Sequence, residues 1–148
     1  MKSTHYSIAL LSMVFLLFSC SKEQQISRRL VKKEGIWNIT EVAYSYFENN
    51  LFVSEQVYSN LGTMEFKENG RGITTFVIPG QPNDIYPFSW TNSASQLIIT
   101  YDGQPLTGKV EIMKILYQSK SEMRLEQTEE NISGGITYKD ILVYKITK

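Results

Sequence analysis

The sequence predicts an all-β domain of antiparallel strands, arranged as a barrel or a sandwich, behind a short N-terminal helix. Two observations carry this. After Gly35 the chain becomes a succession of short segments rich in Val, Ile, Thr, Tyr and Phe, broken by Gly, Asn and Pro at roughly ten-residue intervals. Within those segments the side chains alternate: Met64 and Phe66 fall on one side of TMEFK, and Tyr86, Phe88 and Trp90 on one side of YPFSW.

The first residues belong to something else. MKSTHYS holds one firm positive charge, Lys2, and Ile8–Phe18 is a run of 11 residues without charge. A membrane-spanning helix takes roughly 20 apolar residues, so this run reads as the core of a secretory signal. Leu17-Phe18-Ser19-Cys20 puts a large aliphatic residue three before the cysteine and a small one immediately before it. This resembles the lipobox of bacterial lipoproteins, which implies that Cys20 takes a diacylglyceryl group and that the mature chain starts there. The alternative is a plain signal peptide with an incidental cysteine. A lipidated Cys20 is an anchor and cannot also serve as thiolate or disulfide partner, because its sulfur is a thioether. Two or three acyl chains would hold it on a membrane where one alone binds marginally.

Without residues 1–19 the chain has 129 residues (148 less 19), which suits one domain. It then carries 14 Lys and Arg against 15 Asp and Glu. That balance gives no electrostatic footprint for nucleic acid. The single histidine, His5, leaves with the leader. Ser-His-Asp and Cys-His catalysis, His/Cys zinc sites and histidine acid–base chemistry are therefore excluded from the mature chain, and no metal or cofactor is called for. An enzyme would have to work through carboxylates such as Glu41, Glu65, Glu111 and Glu126, but nothing in their spacing selects a pair. The expectation is that the protein is not an enzyme.

Ser21–Gln25 is polar, as a tether should be. Ile26–Glu34 lacks a helix breaker and sets Ile26 and Leu30 at i and i+4, which predicts a two-turn helix. Its block of Arg28, Arg29, Lys32 and Lys33 would face either anionic headgroups near the anchor or solvent. Strands are expected near 37–46, 52–58, 63–67, 72–78, 85–91, 96–101, 109–117, 123–127 and 137–146. Glu68-Asn69-Gly70 supplies the positive φ of a hairpin between the third and fourth of these, and Asp102-Gly103 ends the sixth. Pro79–Asp84 is the most loop-like stretch. The segments 36–46 and 140–146 carry apolar residues in both parities, expected where one face lines a core and a neighbour covers the other.

The short helix, the Gly35-Ile36-Trp37 that opens the first strand, and MEFKENG in the third together resemble the lipocalin-like, calycin-type lipoproteins of Bacteroidetes-type bacteria, over Ile26–Lys148. The resemblance implies one up-and-down antiparallel barrel of eight to nine strands. The expected layout is a lipoprotein signal in 1–19, a lipidated tether and helix in 20–34, and a lipocalin-like barrel in 35–148. In that family the glycine turns the chain into the first strand and the tryptophan crosses the closed end, often under a basic residue of the last strand. KDILVYKIT offers Lys139 and Lys145 there and no arginine.

An eight-stranded barrel either fills with side chains or holds one small ligand. The sequence therefore supports two readings. In one, Phe66, Phe76, Phe88 and Trp90 line a cavity for a small hydrophobic molecule; in the other, those rings fill the core. A solid barrel would act through Pro79–Asp84 and Ser133–Gly135 on an envelope protein, as lipid-anchored inhibitors of cell-wall hydrolases do. Either way the expected location is the bacterial envelope, on the outer membrane and facing periplasm or surface.

Overall fold

Ser21 caps the first helix, its Oγ accepting from Gln24 N at 3.2 Å, in a computed structural model that describes residues 21–148. Helix α1 spans Lys22–Val31, with Glu23 in its first turn and Arg28 and Arg29 in its last, signs that suit the helix dipole. It starts four residues before the predicted position, because Ser21 supplies a cap that the apolar spacing alone does not reveal. The polar stretch read as tether is the first turn of this helix. Cys20 and the leader lie outside the described residues.

Ile26 and Leu30 are fully buried beneath α1. Each such side chain contributes about 1.5–3 kcal/mol. After the helix, Lys33, Glu34 and Gly35 all take positive φ (55°, 65° and 71°), which reverses the chain into the first strand within three residues.

Eight strands follow: β1 (Ile36–Glu48), β2 (Leu51–Phe66), β3 (Arg71–Phe76), β4 (Asp84–Asn92), β5 (Gln96–Tyr101), β6 (Val110–Gln118), β7 (Glu122–Ser133) and β8 (Ile136–Thr147). Each pairs antiparallel with the next, and β8 returns to β1 from Asn38↔Thr147 to Glu48↔Tyr138, closing the barrel. Closure leaves no free edge around the ring.

The segments predicted as separate strands at 52–58 and 63–67 are one strand, β2. The register with β1 shifts between Ile39 and Glu41, where Thr40 lies against Asn60 and Leu61; Asn60 (φ 56°) and Gly62 (φ 133°) absorb the extra residue. Gly62 thus serves a bulge and not a turn. Its backbone passes so close to β3 that a Cβ would lie 1.8 Å from the Thr75 carbonyl oxygen. Against β8 the extra residue at this level belongs to β1 itself, since Ile39 pairs with Ile146 but Glu41 with Lys145, and this explains the mixed parity of β1: Trp37 and Ile39 face inward before Thr40, and Val42 does so after it. A parity switch, rather than coverage by a neighbour, puts apolar residues on both sides of that sequence.

Tight turns with positive φ at Asn49-Asn50 (50° and 64°) and Gly134-Gly135 (60° and 82°) join β1 to β2 and β7 to β8. These strands are long. β2 pairs with β3 only over Gly62–Phe66, and β7 pairs with β6 only over Met123–Glu126, so the sheet β2-β1-β8-β7 continues past the ring as one tall wall. At the other end, Asn92, the last residue of β4, accepts from Ser27 Oγ (2.6 Å) and donates to the Glu23 carbonyl (3.0 Å), holding α1 across the barrel. That end is closed and the end with the tall wall is open.

Candidate functional site

The closed half is solid. Trp37 is fully buried, its indole Nε1 donating to the Leu30 carbonyl at 2.9 Å, and the Lys148 ammonium sits 4.6 Å from its ring centroid. A cation does cover the indole. It comes from one residue beyond β8, and not from Lys139 or Lys145. Around this centre Met64, Phe66, Phe88, Leu97, Ile99, Met113, Met123, Leu125 and Ile146 complete a buried apolar core.

The four aromatic residues predicted for a cavity divide along the barrel. Phe66 packs edge-on against Trp90 (centroids 5.6 Å apart) and against Phe88 (5.5 Å), and all three rings are buried in the core. From Phe88 the edge-to-face contacts continue through Tyr101 (6.3 Å) and Tyr86 (6.3 Å) to Phe76 (6.1 Å), an unbroken aromatic path from closed to open end. Phe76 stands at the end of that path and lines a cavity of about 340 Å³ together with Val42, Tyr44, Tyr58, Leu61, Leu142 and Tyr144.

The tall wall builds this cavity. Val42 of β1 is flanked by Tyr58 on β2 and Tyr144 on β8, and Tyr44 one step higher is flanked by Leu142. Directly paired residues share a face, so these side chains make two rows on the inner surface. Leu142 in turn pairs with Gln127 of β7, which is buried and whose Oε1 has no hydrogen-bond partner among the described residues. A buried acceptor left unpaired costs about 1–3 kcal/mol unless something donates to it.

Further polar groups stand inside the barrel. Tyr101 Oη donates to Glu111 Oε2 at 3.1 Å, and Lys109 meets the other Glu111 oxygen at 3.0 Å. Burial raises the Tyr101 and Tyr144 phenols well above their ordinary value, and the nearby Glu111 charge raises them further. Tyr44 is also raised, first by its 2.6 Å hydrogen bond to Asp140. Burial opposes the charge of Lys109, but Glu111 and Glu129 outweigh it and the net shift is upward.

The buried tyrosines link stability to pH. Because the folded values lie above the unfolded value of about 10, their contribution is fully present below about pH 10 and is lost as pH rises beyond it. The Tyr101→Phe/Tyr144→Phe variant is expected to lose thermal stability less steeply than the parent above about pH 10. Parallel melting curves for the two proteins across that range would refute this.

Among the acidic residues considered for catalysis, Glu41, Glu65 and Glu126 lie on outward positions, Glu65 and Glu126 beside Lys67 (3.5 Å) and Lys114 (3.9 Å). Glu111 faces inward. Pro79–Asp84 and Ser133–Gly135 both lie toward the open end, neither lines the cavity, and Gly80, Gly134 and Gly135 have open space around them.

No family model matches the sequence, and no curated protein is significantly similar to it. Among solved structures the chain is similar to the crystal structure of an uncharacterised protein from Bacteroides eggerthii, at 11% identity and a TM-score of 0.45, covering 76% of this chain and 97% of that one. It is also similar to a deswapped triple mutant of bovine odorant binding protein, at 13% identity and a TM-score of 0.35, covering 77% and 72%. The strand pairing itself defines the class: an all-β, closed, eight-stranded up-and-down barrel with one short helix.

Proposed function

We propose that this barrel is a lipocalin-like carrier or sensor of a small hydrophobic molecule, held on the bacterial envelope by lipid on Cys20. The observation that carries the binding reading is the cavity of about 340 Å³ at the open end, walled by aromatic and aliphatic side chains. Small-molecule sites are typically about 300–1,000 Å³, mostly apolar, with a few placed polar groups. Here the hydroxyls of Tyr44, Tyr58 and Tyr144 supply those groups, so the ligand is an amphiphile with an apolar body and one hydrogen-bonding end.

An anchor at Cys20 would place the membrane at the closed end, since the described chain begins at Ser21 beside α1, and the cavity mouth would point away from it. The chemistry of the cavity is binding and not catalysis.

A hydrophobic fluorescent probe is expected to bind once per barrel and to be displaced by medium-chain fatty acids or alcohols. A protein that leaves the probe in water at all concentrations would sink the proposal. The anchor has its own test: Cys20→Ala should leave the precursor unprocessed and out of the membrane fraction, and normal fractionation of that variant would remove the lipid from the account.

A further inference from the structure

The closed end carries a second cavity, about 390 Å³ in volume, on the far side of the core from the first. Three separate segments build it: Gln25, Arg28, Arg29, Lys32 and Lys33 from α1 and the turn after it, Lys120 and Ser121 from the turn between β6 and β7, and Lys148 after β8. Six of these eight lining residues are cationic, and none is acidic. The described chain contains seven Lys/Arg–carboxylate pairs, and none of them uses any of these six cations. In a chain whose Lys+Arg and Asp+Glu counts are equal at 15 each, this is a local excess: four of the cations come from residues 28–33 and folding adds Lys120 and Lys148.

Lys148 is the fixed member. Its ammonium lies over the Trp37 ring and donates to the Lys32 carbonyl, so it cannot swing away from the others without giving up both contacts. The other cations crowd it: burial lowers its affinity for a proton, and the charges of Lys33 and Lys32 lower it further. An anion placed in the cavity would remove that repulsion. The guanidinium groups of Arg28 and Arg29 offer the forked donors that match phosphate oxygens, the ammonium groups add point charge, and Ser121 adds a hydroxyl.

We infer that this closed-end cavity is a binding site for a phosphate-bearing group, with room for more than one phosphate. Clusters of about four to eight Lys and Arg on an amphipathic helix at a membrane recognise anionic lipid headgroups, a source that rests on the Cys20 anchor proposed above. The same donors would also hold a soluble phosphate or diphosphate. The inference is independent of the ligand proposed for the open-end cavity, because the two share no lining residue.

The test is nitrogen-edited NMR on the full chain in nonionic detergent micelles, following the Trp37 indole N–H and the Lys120 and Ser121 amides, with the Trp90 indole as the internal reference. Inorganic phosphate, inorganic pyrophosphate and short-chain phosphatidylglycerol are titrated separately, with short-chain phosphatidylcholine as the neutral-headgroup control. Saturable shifts at Trp37 and Ser121, with Trp90 unmoved, are expected. Response to phosphatidylglycerol without pyrophosphate assigns the site to a lipid headgroup, and response to pyrophosphate assigns it to phosphate whatever its carrier. Arg28→Gln/Lys120→Gln alters two exposed side chains and should keep the melting temperature while weakening binding about tenfold, or ~1.4 kcal/mol. The inference is overturned if none of the three anions gives a saturable shift at Trp37, if phosphatidylcholine shifts it equally, or if the double variant binds as the parent does.

Discussion

Gly35→Ala is expected to destabilise this protein strongly, although it adds a single methyl group. Gly35 sits at φ 71°, where a side chain costs about 1–2 kcal/mol from local sterics alone. The added Cβ would also lie 1.8 Å from the Phe66 carbonyl oxygen and 2.9 Å from its carbon, which are backbone atoms of β2 and cannot rotate aside. Relieving the clash means separating the turn after α1 from β2, and with it Trp37 from the Leu30 carbonyl. The expected loss is roughly 3 kcal/mol or more, a fall in melting temperature of about 10 °C or more. Gly80→Ala is the control: it has a similar φ of 78° but nothing within 4 Å of the new Cβ, so only the cost of about 1–2 kcal/mol applies. Equal melting temperatures for the two variants would show that the close passage at Gly35 does not constrain the fold.

Filling the open-end cavity is expected to abolish probe binding while leaving the barrel folded. Leu61 and Leu142 reach into it from β2 and β8, on either side of the Val42 row. Replacing both by Trp puts two indoles into a space of about 340 Å³ whose mouth is open to solvent. The extra bulk can therefore extend outward, unlike overpacking in the closed half, where about 1–3 kcal/mol would be lost to strain. Probe affinity should fall at least about tenfold, ~1.4 kcal/mol, with the melting temperature little changed. Undiminished binding by the double variant would place the probe somewhere other than this cavity.

These expectations draw on features that the sequence shows unevenly. Alternation identified the inward residues of β4 correctly, because Tyr86, Phe88 and Trp90 lie in a strand without a bulge. It could not say at what height along the barrel each ring sits. Height follows from strand stagger, which is a property of closure and not of any one segment. Phe66, Phe88 and Trp90 therefore lie in the packed half and Phe76 at the cavity, although all four alternate alike. The cavity's other walls, Tyr44, Tyr58, Leu142 and Tyr144, were hidden in the segments with mixed parity or at the end of a strand read as short. The signal that could have exposed them is Asn60-Leu61-Gly62, where a glycine and an asparagine interrupt an otherwise continuous β pattern and mark a bulge.

The Gly-x-Trp entry into β1 was readable because its constraint is local: a left-handed glycine followed by an inward indole. The cation over that indole was not readable, since Lys148 lies beyond the last strand and reaches Trp37 only once β8 pairs with β1. The closed-end cluster is hidden for the same reason. Arg28, Arg29, Lys32 and Lys33 fall within six residues of sequence, but Lys120 and Lys148 join them only in the folded barrel.

Whether the open-end cavity holds a molecule in life separates a carrier from a barrel that merely encloses its core. The most direct measurement compares the mass of the protein, purified from its native source without a delipidating step, under native and denaturing conditions. One small apolar species per barrel is expected, present in the native mass, released on unfolding, and absent from the Leu61→Trp/Leu142→Trp variant. A native mass equal to the denatured mass, in a protein that also ignores hydrophobic probes, would contradict the carrier reading.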